Sequence, residues 1–163
     1  MENISLQILY YILLYYCKKF KTNNKIGGIK MNEIVQFLNE NALQYFATVG
    51  LDGKPKVRPF QFMFEKEGKL WFCTGNDKEV YKEMSNNPYI ESCSCTPDYK
   101  WLRLSGKAVF SEDTAIKEEI VEKAPLVKMV YKSADNPVFE IFYLEEAKGT
   151  FYVFGEPPKE IKL

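Results

Sequence analysis

Residues 54–78 read KPKVRPFQFMFEKEGKLWFCTGNDK. Apolar residues dominate the runs 56–64 and 69–74, and the Glu-Lys-Glu-Gly segment between them is typical of a turn, so the pattern predicts two neighbouring strands. The second run ends at Thr74-Gly75-Asn76-Asp77, where Asp77 is a suitable N-cap for a helix that begins at Lys78. We therefore expect a β-hairpin followed directly by a helix.

Two cations flank this unit: Arg58 lies within the first strand, and Lys78 follows the second. Thr74 and Gly75 add a hydroxyl group and an accessible backbone just before the helix. Backbone N–H groups at a helix start point toward a ligand, and the helix dipole favours negative charge there. The combination predicts a phosphate-binding site and hence a phosphorylated cofactor. The alternative interpretation is that both cations are solvated surface residues and that Thr74 is an ordinary strand residue.

Composition limits the kind of protein and the kind of chemistry. A chain of 163 residues with 22 basic and 22 acidic residues indicates one main domain without a nucleic acid or an anionic membrane as its partner. It contains no histidine, which excludes Ser-His-Asp triads, Cys-His nucleophiles and His-based zinc sites. Cys93 and Cys95 share one face of a predicted strand and lack the spacing of a zinc knuckle. We expect free thiols, no metal site and a reducing, cytoplasmic location.

The first 30 residues differ in character from the rest of the chain. Their apolar run, 8–17, is shorter than the roughly 20 residues that a membrane-spanning helix needs, and its cations follow the run instead of preceding it. We interpret residues 1–30 as an extension upstream of a translation start at Met31. The functional domain is then predicted to span 31–155, with a C-terminal tail at 156–163.

From Met31 onward the pattern is typical of a mainly β protein with flanking helices. Alternating apolar segments predict seven strands, and 3.6-residue periodicity predicts three helical regions, the last of them interrupted at Pro125. We predict a six- to seven-stranded antiparallel split β-barrel, because most strands follow one another as hairpins. The predicted strands are 43–50, 56–64, 69–74, 89–96, 99–110, 138–144 and 150–154. Pro59 further predicts that the second strand has an unpaired edge.

Four pieces of the sequence, in this order and spacing, resemble one family. They are FATVGLDGKPKVRPF, LWFCTGNDKEVYKEMSNNPYI, YKWLRLSGKAVF and the terminal pair FEIFYL and GTFYVFGE. The pattern is similar to that of the split-barrel proteins that bind flavin mononucleotide (FMN), whose best-known member is pyridoxamine 5'-phosphate oxidase. The nitroimidazole-resistance-type flavoproteins are similar in size and fold. The resemblance covers residues 31–155.

The resemblance implies FMN as the cofactor and assigns residues to its site. Arg58 and the three residues after it, Pro59, Phe60 and Gln61, would contact the flavin, partly through backbone groups. Thr74 and Gly75 would lie at the end of the third strand, and Lys78 would bind the phosphate. The resemblance also implies a homodimer with shared sites, in which Trp101 and Arg103 come from the other subunit. It names no catalytic acid or base.

The predicted function is therefore that of an FMN-dependent oxidoreductase. It would pass electrons from a reduced nicotinamide through the flavin to a small acceptor, such as a nitro compound or a quinone. Three alternatives remain open at the level of sequence. The chain could be a flavin- or haem-binding module without turnover, a reductase that uses a deazaflavin cosubstrate, or an interaction protein whose barrel only dimerises.

Overall fold

The computed structural model describes residues 33–163, so residues 1–30 and their interpretation as an extension lie outside the described part. Within it, one helix precedes the first strand, one follows the fourth strand, and two follow the sixth strand. The helices are α1 (Glu33–Glu40), α2 (Glu79–Asn86), α3 (Thr114–Lys123) and α4 (Pro125–Tyr131). The strands are β1 (Leu43–Val49), β2 (Pro55–Gln61), β3 (Phe64–Lys66), β4 (Lys69–Gly75), β5 (Tyr89–Cys95), β6 (Trp101–Ser111), β7 (Phe139–Tyr152) and β8 (Lys159–Lys162).

All recorded strand pairs are antiparallel and form one sheet in the order β2-β1-β5-β6-β7-β4-β3, with β8 added to β7. The two end strands, β2 and β3, are consecutive in the chain and are joined only by Phe62 and Met63. The sheet therefore curls until its ends nearly meet without closing. This confirms the predicted mainly β split barrel. Pro59 lies on the end strand β2, as its missing N–H group requires.

Three boundaries differ from those predicted. The run 56–64 is two strands, because its first part pairs with β1 and its last residues pair with β4. The runs 138–144 and 150–154 are one continuous strand, β7, because β6 lies beside most of its length and pairs with its backbone. The expected tail contributes β8, which pairs with residues 148–151 of β7.

Two hydrophobic clusters position the helices. The larger one fills the barrel and includes one face of α1 and α2, and the smaller one holds α3 and α4 against β4 and β7. Gly149 of β7 allows α1 to approach closely, since a Cβ atom there would lie 2.4 Å from Ile34 Cδ1. None of the helices within 33–163 is long and apolar enough to cross a bilayer.

The start of α2 also differs from the prediction. Lys78, and not Asp77, is the N-cap residue, and no side chain caps the helix. The turn before the helix explains the change, because the Lys78 N–H group donates to the carbonyl oxygen of Gly75 at 3.1 Å. The first N–H groups of α2 are therefore left without a capping side chain.

Candidate functional site

Arg58 lies on the inner face of β2 and forms an ion pair with Glu83 of α2. Its Nη2 is 2.6 Å from Glu83 Oε2, and its Nη1 donates to the Thr48 hydroxyl at 2.5 Å. The same hydroxyl donates to Glu83 Oε2 at 2.5 Å, so the three side chains form a closed network. The Glu83 side chain is 3% exposed and that of Arg58 is 23% exposed. Arg58 is thus a half-buried cation with an acidic partner within the chain, whereas the sequence had suggested either a phosphate-binding cation or a solvated surface residue.

Lys78, the second predicted cation, is the N-cap residue of α2 and is exposed. Its Nζ is 3.0 Å from the hydroxyl oxygen of Tyr131, the last residue of α4. Burial raises the pKa of the Tyr131 phenol, and the neighbouring Lys78 opposes that rise. The ammonium group is therefore oriented at the uncapped start of α2, where backbone donors and the helix dipole also favour an anion.

The loop between β4 and α2 places Gly75 close to the hydroxyl group of Tyr131. A Cβ atom at Gly75 would lie 2.5 Å from Asp77 Oδ1 and 3.1 Å from the Tyr131 hydroxyl oxygen, so only glycine fits without a shift of its neighbours. Asn76 ties the loop to the chain before β7, since its side-chain Nδ2 donates to the Pro137 carbonyl at 2.8 Å. These contacts hold the end of β4 and the start of α2 in one arrangement.

Thr74 is buried, and its hydroxyl oxygen lacks a hydrogen-bond partner among the described residues. It points to the same face of β4 as Leu70 and Phe72, which belong to the barrel core. An unpartnered buried hydroxyl is costly and is often explained by a ligand or water. The observation is compatible with the predicted role of Thr74 beside a cofactor.

The residues after Arg58 have different surroundings. Pro59 is exposed, Gln61 is half-buried, and the Phe60 ring stacks on Phe46 with centroids 4.5 Å apart. The Phe60 ring is thus part of the aromatic packing of the barrel. The resemblance implied both side-chain and backbone contacts from this segment, and the packing of the Phe60 ring leaves the backbone groups and the half-buried Gln61 side chain for them.

Trp101 and Arg103 lie on the opposite face of the sheet from Arg58. Strand register places Trp101 beside Cys95 and Tyr152, and Arg103 beside Cys93, all on the outer face. The Trp101 and Tyr152 rings stack with centroids 5.0 Å apart and an interplanar angle of 4°. The Arg103 Nε atom donates to Glu91. Within one chain, these two residues are therefore not brought together with Arg58 and Lys78.

The outer face that carries Trp101 and Arg103 also exposes large apolar side chains from three other strands. Tyr45 of β1, Val57 of β2 and Tyr89 of β5 are 54, 63 and 63% exposed. We call this surface the outer sheet face and define it by these three residues with Trp101 and Arg103. Several large exposed apolar side chains on one face of a sheet are typical of an interaction site.

Sequence reasoning missed Glu83, Thr48 and Tyr131. Glu83 had a detectable signal, because it lies between Val80 and Met84 on the apolar face of α2, where a charged residue needs a buried partner. Thr48 and Tyr131 had no such signal. They meet Arg58 and Lys78 only through contacts between elements distant in sequence.

Comparison with known proteins adds the family. A family model described as pyridoxamine 5'-phosphate oxidase matches residues 31–151. The search of curated proteins found no match. A solved NimC/NimA family protein from Clostridium acetobutylicum is 32% identical with a TM-score of 0.74, and the alignment covers 80% of this chain and 90% of that one.

Two further solved structures share the fold at lower identity. A pyridoxamine 5'-phosphate oxidase-related, FMN-binding protein from Nostoc punctiforme is 15% identical with a TM-score of 0.62, over 81% of this chain and 91% of that one. A haem-binding protein from Mycobacterium smegmatis is 12% identical with a TM-score of 0.65, over 83% of this chain and 60% of that one. With the family model spanning nearly all of the described barrel, the chain belongs to the pyridoxamine 5'-phosphate oxidase family of split-barrel proteins.

Proposed function

We propose that this protein is an FMN-dependent oxidoreductase that binds its cofactor between two identical subunits. The observation that carries the proposal is the exposed Lys78 at the uncapped start of α2, held 3.0 Å from Tyr131. A cation, backbone N–H groups and a helix dipole converge there, and a phosphate monoester is the anion that such a site suits best. Family membership supports a flavin as the bearer of that phosphate.

The residues present fit FMN in two respects. Lys78 and Arg58 supply positive charge, and the buried Thr74 hydroxyl has no hydrogen-bond partner among the described residues. Glu83 balances one of the two cations, so the three charged groups together carry +1 (Arg58 +1, Lys78 +1, Glu83 −1). The phosphate would therefore rely on oriented donors as much as on net charge.

When bound, FMN would supply the two-electron chemistry that moves a hydride from a reduced nicotinamide to a small acceptor such as a nitro compound or a quinone. The chain itself would bind the phosphate through Lys78, Arg58 and the start of α2, and would orient the ring through backbone groups of residues 59–61. The protein's contribution is binding and orientation.

The outer sheet face supports the homodimer. Trp101 and Arg103 can reach a site that contains Arg58 only if they come from a second copy, because they lie on the opposite face of their own sheet. A second copy packed on this face would also cover Tyr45, Val57 and Tyr89. A closed two-fold dimer buries the same patch of both subunits, which suits a single self-complementary surface.

A haem-binding function finds less support. A neighbour described as haem-binding shares the fold at 12% identity, but this chain contains no histidine, the commonest axial ligand of haem iron.

The first experiment is an absorption spectrum of the purified, desalted protein, followed by release and identification of any chromophore. We expect flavin bands and released FMN, together with oxidation of reduced nicotinamide when a nitroaromatic or quinone is added. A bound flavin without such turnover would indicate a binding module. A colourless protein that also fails to bind added FMN would overturn the proposal, and binding of a deazaflavin alone would reassign the cofactor.

A further inference from the structure

Glu83 is a carboxylate at a position where the helix pattern calls for an apolar residue. It lies on α2 beside the buried Val80 and Met84, and its side chain is 3% exposed. A buried charge costs free energy unless it is paired and hydrogen-bonded. Arg58 and Thr48 both donate hydrogen bonds to Oε2 of Glu83, so this carboxylate oxygen has an ionic partner and a hydroxyl donor.

The network restrains the guanidinium of Arg58 in two directions. Nη2 is held by Glu83, and Nη1 is held by the Thr48 hydroxyl, which itself donates to Glu83. Nη1 also makes two longer contacts, at 3.5 Å to the carbonyl oxygen of Phe46 and at 3.4 Å to that of Lys56, so Glu83 supplies the one ionic restraint among these contacts. A hydroxyl can donate one hydrogen bond and accept others, so all three bonds are satisfied together. The contacts engage both Nη atoms, and within the described residues the Nε–H group and one N–H group of Nη2 are left for a further acceptor.

One helix connects this anchor to the second cation. Lys78 is the N-cap of α2, and Glu83 lies five residues further along the same helix, about 7.5 Å along its axis. The helix packs against β1 and β4, the strands that carry Thr48 and Thr74. The separation of Arg58 from Lys78 is therefore set by α2 through Glu83.

We propose that Glu83 is a positioning residue that fixes Arg58 relative to Lys78, so that the two cations are arranged for a phosphate monoester before it binds. The inference rests on the proposed function, because it assigns the phosphate of the cofactor to that pair. Preorganised donors bind an anion better than mobile ones, since less conformational entropy is lost on binding.

A role in positioning and a role in charge balance predict opposite results. If Glu83 only cancelled the charge of Arg58, Glu83→Gln and Glu83→Met would raise the net charge of the site and tighten FMN binding. Positioning predicts that Glu83→Met weakens FMN binding by about tenfold or more, since Arg58 loses a charge-assisted bond. Glu83→Gln, which keeps an acceptor, should fall between Glu83→Met and the wild type.

The test is titration of the full chain, freed of any bound flavin, with FMN and with riboflavin, which has the same ring without the phosphate. The loss in Glu83→Met should appear for FMN and leave riboflavin within about twofold. Glu119→Gln is the matched control, because Glu119 of α3 pairs with Lys66 of β3 and Lys123 of α3 and makes no ion pair with Arg58. It should leave both affinities unchanged.

The outcomes separate the inference from the proposed function. Equal wild-type affinity for FMN and riboflavin, or no binding of either, would overturn the phosphate site and the inference with it. A wild-type preference for FMN that Glu83→Met and Glu83→Gln leave unchanged or strengthen would overturn the inference alone. If Glu83→Met does not fold, the test uses Glu83→Gln and Thr48→Val instead. Weaker FMN binding by these variants, with unchanged riboflavin binding, would support the positioning role of Glu83. Unchanged or tighter FMN binding would overturn it.

Discussion

Lys78 Nζ lies 3.0 Å from the hydroxyl oxygen of Tyr131 and 5.5 Å from the centroid of its ring. The contact joins the start of α2 to the end of α4, and its two residues are 53 positions apart in the sequence. It orients an exposed ammonium group at a helix start that no side chain caps. In the proposed FMN site, Lys78 is therefore the cation on which phosphate binding would depend most directly.

Replacing Lys78 should therefore weaken binding of the phosphorylated flavin and leave the fold intact. We expect Lys78→Ala to lower FMN affinity by about tenfold or more, because a charge-assisted hydrogen bond is lost, and to change riboflavin affinity little. Fluorescence titration with the two flavins measures the effect. Lys82→Ala, which removes another exposed lysine of α2, is the control and should retain FMN affinity. Equal FMN affinity in the two variants would contradict the assignment.

Arg58 should matter to folding as well as to binding. Arg58→Ala leaves the buried carboxylate of Glu83 without its ionic partner, a change that typically costs about 3 to 5 kcal/mol. We expect a loss of about 2 to 5 kcal/mol in the free energy of unfolding by urea. Arg103→Ala breaks an exposed pair with Glu91 and should cost less than about 1 kcal/mol.

A double variant checks the cause of that loss. Arg58→Ala combined with Glu83→Ala removes both charges, so it should be less destabilised than the sum of the two single variants. If the losses in the free energy of unfolding of the two single variants add up to that of the double variant, the interaction between Arg58 and Glu83 contributes nothing to stability.

The outer sheet face should hold the dimer together. Val57→Asp places a charge at a side chain that is 63% exposed in one chain and that a second copy would cover. We expect the wild type to sediment as a dimer and Val57→Asp as a monomer with weakened FMN binding. Val130→Asp, at an apolar residue of α4 that is 56% exposed, should remain a dimer. A dimer that survives Val57→Asp with its FMN would assign the interface to another surface.

Cys73 should make stability depend on pH in the alkaline range. Burial raises the pKa of its thiol from the ordinary 9.0 to about 12, with a small opposing effect from Lys78. The folded protein keeps the proton at pH values where the unfolded chain loses it, so this contribution to stability is intact below about pH 9 and is lost as pH rises toward 12.

The measurement is the urea midpoint of unfolding between pH 8 and pH 10.5. The midpoint of Cys73→Ala should fall less steeply with pH than that of the wild type, whereas Cys95→Ala, at an exposed thiol, should follow the wild type. Parallel slopes for the wild type and Cys73→Ala would show that the Cys73 thiol does not titrate differently in the two states.

Local pattern accounts for much of the fold. The apolar run 69–74 and the Glu-Lys-Glu-Gly segment before it predicted a hairpin at this point of the chain. The turn itself is shorter than expected, because residues 65 and 66 belong to β3, and Glu67 and Gly68 adopt positive φ. Pro59 indicated an edge, and β2 is an end strand. The break between β2 and β3 was missed, because periodicity within 56–64 does not reveal that its two parts pair with different strands.

The sequence by itself determined which segments alternate, where the turns fall and that two cations flank one hairpin, since these depend on neighbours within a few residues. Only the tertiary structure decided that Glu83 holds Arg58, that Tyr131 orients Lys78, and that Trp101 lies on the opposite face from Arg58. These relationships arise when helices and strands distant in sequence bury their apolar faces together. The contacts that result depend on the packing of the whole barrel, which no local pattern encodes.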